Sequence, residues 1–150
     1  MTAAQQNTHE TASILTVFAD GHVFGLDVKD ASTIFKAGPI TPIPLARKDV
    51  CGFINLRGRI AVAVSLRRRL GLDETGQECE KFAAGIEAAH EYFALLVDRV
   101  GDVIALPDSA RTEIPADFTG RPSLFMRDLY VHGSQPIPIL DVSRLFDFSL

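Results

Sequence analysis

Arginine is the residue type with which this sequence could do most. Arg57 and Arg59 flank Gly58, and Arg67, Arg68 and Arg69 follow without interruption, all within the stretch Gly52 to Leu72, GFINLRGRIAVAVSLRRRLGL. A guanidinium is a planar fork of donors that fits a carboxylate or a phosphate with two parallel bonds. Three uses suit the cluster. It could dock a partner that carries carboxylates. It could form a nucleic-acid patch from Arg57 to Arg69, although no aromatic platform accompanies it for bases to stack on. Or the triple run could be the solvated face of a short helix. Arg57 stands apart because it sits beside a tight turn between two apolar runs. Its stem can pack there while the charge stays in water, so a folding role is weak.

Other chemistry is sparse. The chain has no GxSxG, HExxH, P-loop or GxGxxG motif. His9, His22, His90 and His132 are scattered, and none is spaced with another as a ligand pair. Cys51 and Cys79 lie far apart with no CxxC, a pattern that reads as two reduced thiols in a cytoplasmic protein. A Cys51 nucleophile would need the fold to bring it a histidine and an orienting group. The expectation is no catalytic residue, no metal and no cofactor: an interaction module instead of an enzyme.

Bulk properties agree with that class. The net charge of −4 gives no excess for a polyanion, so nucleic acid is not an expected partner. No apolar run approaches the roughly 20 residues of a membrane helix, and direct membrane insertion is not expected. The opening MTAAQQNTHETAS lacks a basic region followed by an apolar one. It reads as a disordered tail over residues 1–12, with the folded domain at 13–150. The chain of 150 residues suffices for one domain, or for two small lobes sharing one core.

The elements that must position the arginines follow from pattern. Ile14–Phe18 and Val23–Leu26 read as strands around the hairpin signal Asp20-Gly21. Val28, Ala31, Ile34 and Phe35 fall at helical spacing, with Asp27 as a cap, which predicts a short helix. Pro39, Pro42 and Pro44 confine the next segment to an edge strand or a loop. Phe53, Ile54 and Leu56 form an apolar run. Arg57-Gly58-Arg59 turns, and Ile60–Val64 reads as a strand buried on both faces. Ser65 can cap a short helix, Leu66–Leu70, that Gly71 ends.

In the second half, Asp73 to Glu80 reads as a polar loop. Phe82–Ile86 is weakly strand-like, Tyr92–Val97 strongly so. Asp98–Gly101 is expected to turn and Asp102–Leu106 to return as a strand. Pro107–Arg121 predicts a long loop with one short strand near Arg111–Glu113. Phe125–His132 alternates, Gly133-Ser134 turns, and Pro136–Leu140 is extended, at an edge because of its two prolines. Asp141 can cap a last helix, Val142–Phe146. Gly58, Val62, Val64, Arg69 and Leu70 are echoed by Gly133, Ile137, Ile139, Arg144 and Leu145, an offset of 133 − 58 = 75. Many short strands, little helix and a half-length echo give an all-β class built as small barrels.

With these residues in hand, the chain resembles the CheW-like family of chemotaxis coupling proteins. GFINLRGR at 52–59 and VAVSLR at 62–67 are similar to its signature. FADGHVFGLD at 18–27, ITPIP at 40–44, LVDRV at 96–100 and ILDV at 139–142 follow in the family's order. The resemblance implies two five-stranded SH3-like β-barrel subdomains sharing a core. It also implies a non-catalytic adaptor that couples the cytoplasmic tips of methyl-accepting chemotaxis receptors to a CheA-type histidine kinase. It places the partner-binding surface at Asn55, Arg57, Gly58 and Arg59, with Ala31 and Thr33 where the family usually reads Val-x-Glu. Ser65 replaces the usual Asp, a conservative change of cap.

Overall fold

The computed structural model describes residues 11–72, 80–117 and 119–149. The first ten residues of the expected tail, and all of the expected loop 73–80 except Glu80, lie outside them. The first described element is β1 (Thr11–Ala19), whose first two residues already pair with Pro107 and Leu106. The remaining strands are β2 (His22–Asp27), β3 (Ala31–Lys36), β4 (Ile40–Thr41), β5 (Val50–Leu56), β6 (Arg59–Ser65), β7 (Phe82–Ala88), β8 (Glu91–Val97), β9 (Arg99–Pro107), β10 (Arg111–Thr112), β11 (Met126–His132) and β12 (Gln135–Leu140). Two short helices follow the third and last hairpins, α1 (Leu66–Leu70) and α2 (Val142–Leu145).

Among the described residues, twelve strands form two six-stranded sheets, in the orders β10-β11-β12-β2-β1-β9 and β3-β7-β8-β6-β5-β4. Among the described residues neither sheet closes by pairing its two ends. The five-stranded closed barrels implied by the resemblance are therefore open sheets with one more strand each. Each sheet nonetheless curls around its own apolar filling. Ile14, Leu106, Tyr130, Ile137 and Ile139 fill the first, and Ile54, Leu56, Ala61, Ala63, Ala83, Ala94 and Leu96 the second. A larger core lies between the sheets, built from Leu15, Val17, Phe24, Leu26, Val64, Leu66, Leu70, Ile86, Phe93, Leu95, Phe125, Leu140, Leu145 and others.

The two orders describe one repeat that exchanges strands. Read from opposite ends, β1-β2 answers β7-β8, β3 answers β9, and β4-β5-β6-α1 answers β10-β11-β12-α2. The parallel contact of β6 with β8 matches that of β12 with β2. Even the bulge recurs, between Ala31 and Thr33 in β3 and opposite Leu15/Val17 in β9. The echo in the sequence is thus structural, but its register is one residue off. The hairpin pairs Leu56–Arg59 and His132–Gln135 give 135 − 59 = 76, and the capping residues Ser65 and Asp141 give 141 − 65 = 76. Gly58 and Gly133 matched by type because each takes a positive φ, but at different sites. Gly133 is at the first position of its turn, where Ser134 follows without positive φ, and Gly58 at the second of its own, after Arg57.

Four expectations change. The segment 28–35 is not a helix: Asp27 accepts from the Lys29 amide at 3.0 Å and its carbonyl takes the Asp30 amide at 2.9 Å, closing a turn. Thr33, Ile34 and Phe35 then pair with β7, as β-branched and aromatic residues favour. Asp98–Gly101 does not turn back on β8; the chain passes through Asp98 into β9, which joins the other sheet beside β1. β12 is interior, not an edge, but its contact with β2 is a single register at Ile139–Gly25, beyond both prolines. And β6 is buried on both faces only toward its end: Ile60 is 59% exposed.

Candidate functional site

The β5–β6 hairpin closes with the two-residue loop Arg57-Gly58, whose φ values of 53° and 84° are those of the mirror-image turn that matches strand twist. Gly58 adopts such an angle freely. Arg57 does not, and a left-handed non-glycine costs about 1–2 kcal/mol. Asn55 offsets part of that by accepting the Gly58 amide at 2.6 Å. The exposed tip is therefore fixed in shape by its own backbone.

Alternation along the hairpin sends Ile54 and Leu56 into the curl of the second sheet and leaves Phe53 and Asn55 outside, Phe53 being 44% exposed. The same alternation aims Arg59 at the mouth of that curl. Its guanidinium lies 3.8 Å from the centroid of the Tyr92 ring and 3.0 Å from the Glu87 carboxylate. Tyr92 lies flat across Gly85, where any β-carbon would collide with its hydroxyl and stand 3.2 Å from the Thr33 hydroxyl. Arg57 reaches β3 and stacks over Phe35 at 5.1 Å. Among the described residues its guanidinium has no carboxylate partner, unlike that of Arg59.

The structure thus joins Asn55, Arg57, Gly58 and Arg59 at one tip and brings Thr33 beside them through Tyr92. It does not bring Ala31, which lies across the bulge and packs on the core between the sheets. Phe35, Tyr92 and Glu87 complete the surface and were not singled out from the sequence. A cross-strand aromatic under an arginine has no signature in spacing along one chain.

The arginine run does not form one patch. Arg67 grips Asp98 with bonds of 2.9 and 3.0 Å from Nε and 2.8 Å from Nη2. Arg69 is completely buried, and Arg68 donates to the Lys48 carbonyl at 3.1 Å. The nucleic-acid surface considered from Arg57 to Arg69 therefore has no continuous face. Cys51 is half-buried against the filling of the second sheet, while Cys79 and His9 fall outside the described residues. Among the described residues, no cluster of His, Cys, Asp or Glu is placed to hold a metal ion, and no helix is long and apolar enough to cross a membrane.

Comparison with known proteins adds family and fold. The model of the CheW-like domain matches residues 13–149. The chemotaxis protein CheW of Treponema pallidum is 25% identical over 141 residues, covering 91% of this chain and 83% of that protein. The CheW of Thermotoga maritima is 31% identical over 96 residues, covering 64% and 63%. Among solved structures, the scaffolding protein TtCheW from Thermoanaerobacter tengcongensis superposes with a TM-score of 0.82 at 25% identity, covering 92% of this chain and 94% of that one.

Proposed function

The chain belongs to the CheW-like domain family, and from that premise we propose that it is a non-catalytic adaptor in chemotaxis-type signalling that couples receptor cytoplasmic tips to a CheA-type histidine kinase in the cytoplasm. The docking surface is the β5–β6 tip, with Arg57 as its centre and Asn55, Gly58, Arg59 and Thr33 around it. Ala31 contributes by supporting β3 from below.

The observation that carries this reading is Arg57 itself. It occupies a backbone conformation that costs free energy, stacks on Phe35, and meets no carboxylate of its own chain among the described residues. A stacked guanidinium is held in place yet keeps its donors, which lowers the entropy lost on binding. The two relatives named above are chemotaxis proteins and the solved neighbour is a scaffolding protein, which supports an assembly role.

Arg57→Glu removes the fork and opposes whatever carboxylate it met. Breaking one member of a buried interfacial charge pair costs about 2–5 kcal/mol, or roughly thirty-fold and more in affinity. Titration calorimetry against a CheA-type kinase and a receptor fragment is expected to show that loss for at least one partner. The folded state should be nearly unaffected, with Arg57→Ala shifting stability by about half a kcal/mol. Wild-type affinity for both partners would reduce Arg57 to a solvated turn residue.

A further inference from the structure

A second gathering of charge uses none of the tip residues. It forms where α1 ends against the C-terminal segment. The buried Arg69 donates from Nε to the Leu145 carbonyl at 2.6 Å and from Nη2 to the carbonyls of Asp147 at 2.6 Å and Arg144 at 3.3 Å. Its guanidinium lies between the rings of Phe125 and Phe148, at 4.7 and 4.6 Å. Among the described residues, the one carboxylate it contacts is Asp49, at 3.3 Å, and Arg47 holds that same carboxylate at 3.1 and 3.3 Å. A third guanidinium joins them: Arg121 donates Nε to the Arg69 carbonyl at 2.7 Å and lies over Phe125 at 5.4 Å.

Two guanidiniums, those of Arg47 and Arg69, therefore share one carboxylate in a partly dry setting, and that of Arg121 stands beside Arg69 with no carboxylate contact among the described residues. Burial above all, joined by the charges of Arg121 and Arg47, holds Arg69 below its ordinary range against the pull of Asp49. Above them opens a groove of about 550 Å³ lined by Arg47, Lys48, Asp49, Arg68 and Arg121. Lys48 and Arg68 hold contacts of their own within the protein, so the imbalance is counted on Arg47, Arg69, Arg121 and Asp49 alone. Of these, Arg121 has the most donors to spare. Among the described residues its terminal nitrogens meet no partner, while its stacking and its Nε bond fix the fork.

The surroundings decide which anion fits. A phosphate is usually cradled by backbone N–H groups at a helix start. Here α1 presents its carbonyl end, and the amides of Gly71 and Leu72 are already spent on Arg68 and Arg67 carbonyls. A nucleobase needs an open ring to stack on, but Phe125 and Phe148 are faced by guanidiniums. A carboxylate needs only the fork. We propose that this groove docks a carboxylate-bearing segment of a protein partner, with Arg121 as the anchor. The site is independent of the β5–β6 tip.

A labelled oligoglutamate peptide followed by fluorescence anisotropy tests it. The peptide is expected to bind the full chain with an affinity that falls as salt rises. Arg121→Gln should weaken it about tenfold or more. Arg121→Lys, which keeps the charge without the fork, should also weaken it and provides the readout if the glutamine variant does not fold. Equal binding by wild type and both Arg121 variants, or no binding by wild type at low salt, overturns the proposal. So does Arg121-dependent binding of tripolyphosphate without oligoglutamate binding, which would assign the groove to phosphates.

Discussion

Arg57 and Arg69 are the same residue type in one short stretch of sequence, and their fates are opposite. Arg57 lies at an exposed tip over one ring, while Arg69 is enclosed by three carbonyls, one carboxylate and two rings. The sequence marks Arg57 as unusual because Gly58 announces the turn. Nothing local marks Arg69, whose partners Arg144, Leu145 and Asp147 come from the other end of the chain. Glu80 is a second case. It accepts the Arg67 amide at 3.1 Å, at the start of α1. Burial raises its pKa above the ordinary value of 4.5, against the opposing bonds from the Arg67 amide and the Ser65 hydroxyl. A raised folded-state pKa means the native protein binds the proton more tightly than the unfolded chain. The contribution of Glu80 to stability is therefore full below its unfolded pKa and is lost as pH rises through the folded one. Melting temperatures of wild type and Glu80→Gln should accordingly diverge in favour of the glutamine variant between mildly acidic and neutral pH. A constant difference across that window would show that Glu80 does not titrate as its burial demands.

Hairpins were the most legible elements, because their turn residues carry the geometry. Asp20-Gly21, Arg57-Gly58 and Gly133-Ser134 each announce a reversal, and each lies in one. Less legible was the choice of partner strand. Val28 to Phe35 has helical spacing, yet pairing with β7 overrides it, and no local pattern signals that β3 belongs to a different sheet from β2. Asp98 shows why the crossing works. Its amide donates to the Phe18 carbonyl at 2.9 Å, its carboxylate takes the Asp20 amide at 2.7 Å, and both oxygens meet Arg67. One residue between β8 and β9 thus ties the β1–β2 turn to α1. Asp98→Ala should cost about 2 kcal/mol, the scale of a lost hydrogen bond to a charged group, read as a shift in the urea midpoint. An unchanged midpoint would mean that Arg67 finds another carboxylate at no cost.

At the scale of the whole molecule, neither sheet belongs to one half of the chain. The first takes β1 and β2 from residues 11–27 and its other four strands from 99–140; the second takes β3 to β6 from residues 31–65 and β7 and β8 from 82–97. The β-class and the half-length echo could be read from turns and alternation. The exchange could not, because it is decided by long-range pairing. Its energetic consequence is specific. A fragment holding residues 11–72 keeps the β1-β2 ribbon and the β5-β6 ribbon with the two-residue β4 on its edge. But β3 loses its mate β7, and both parallel contacts, β6 with β8 and β12 with β2, are lost because they join the two halves. The core between the sheets is shared the same way. Phe93 of β8 stacks on Phe146 at 4.4 Å, and Leu66 and Leu70 of α1 meet the chain's last helix in one cluster. Isolated two-stranded ribbons are marginal in water, and total stability is only about 5–15 kcal/mol for a domain of this kind. Each half alone is expected to lack cooperative melting by circular dichroism. Mixing the halves should restore the β-rich spectrum and a single transition, because all the contacts each lacks are supplied by the other. A half that folds alone with a cooperative transition would show that pairing within one repeat suffices, and the exchanged strands would then be an embellishment on two autonomous units.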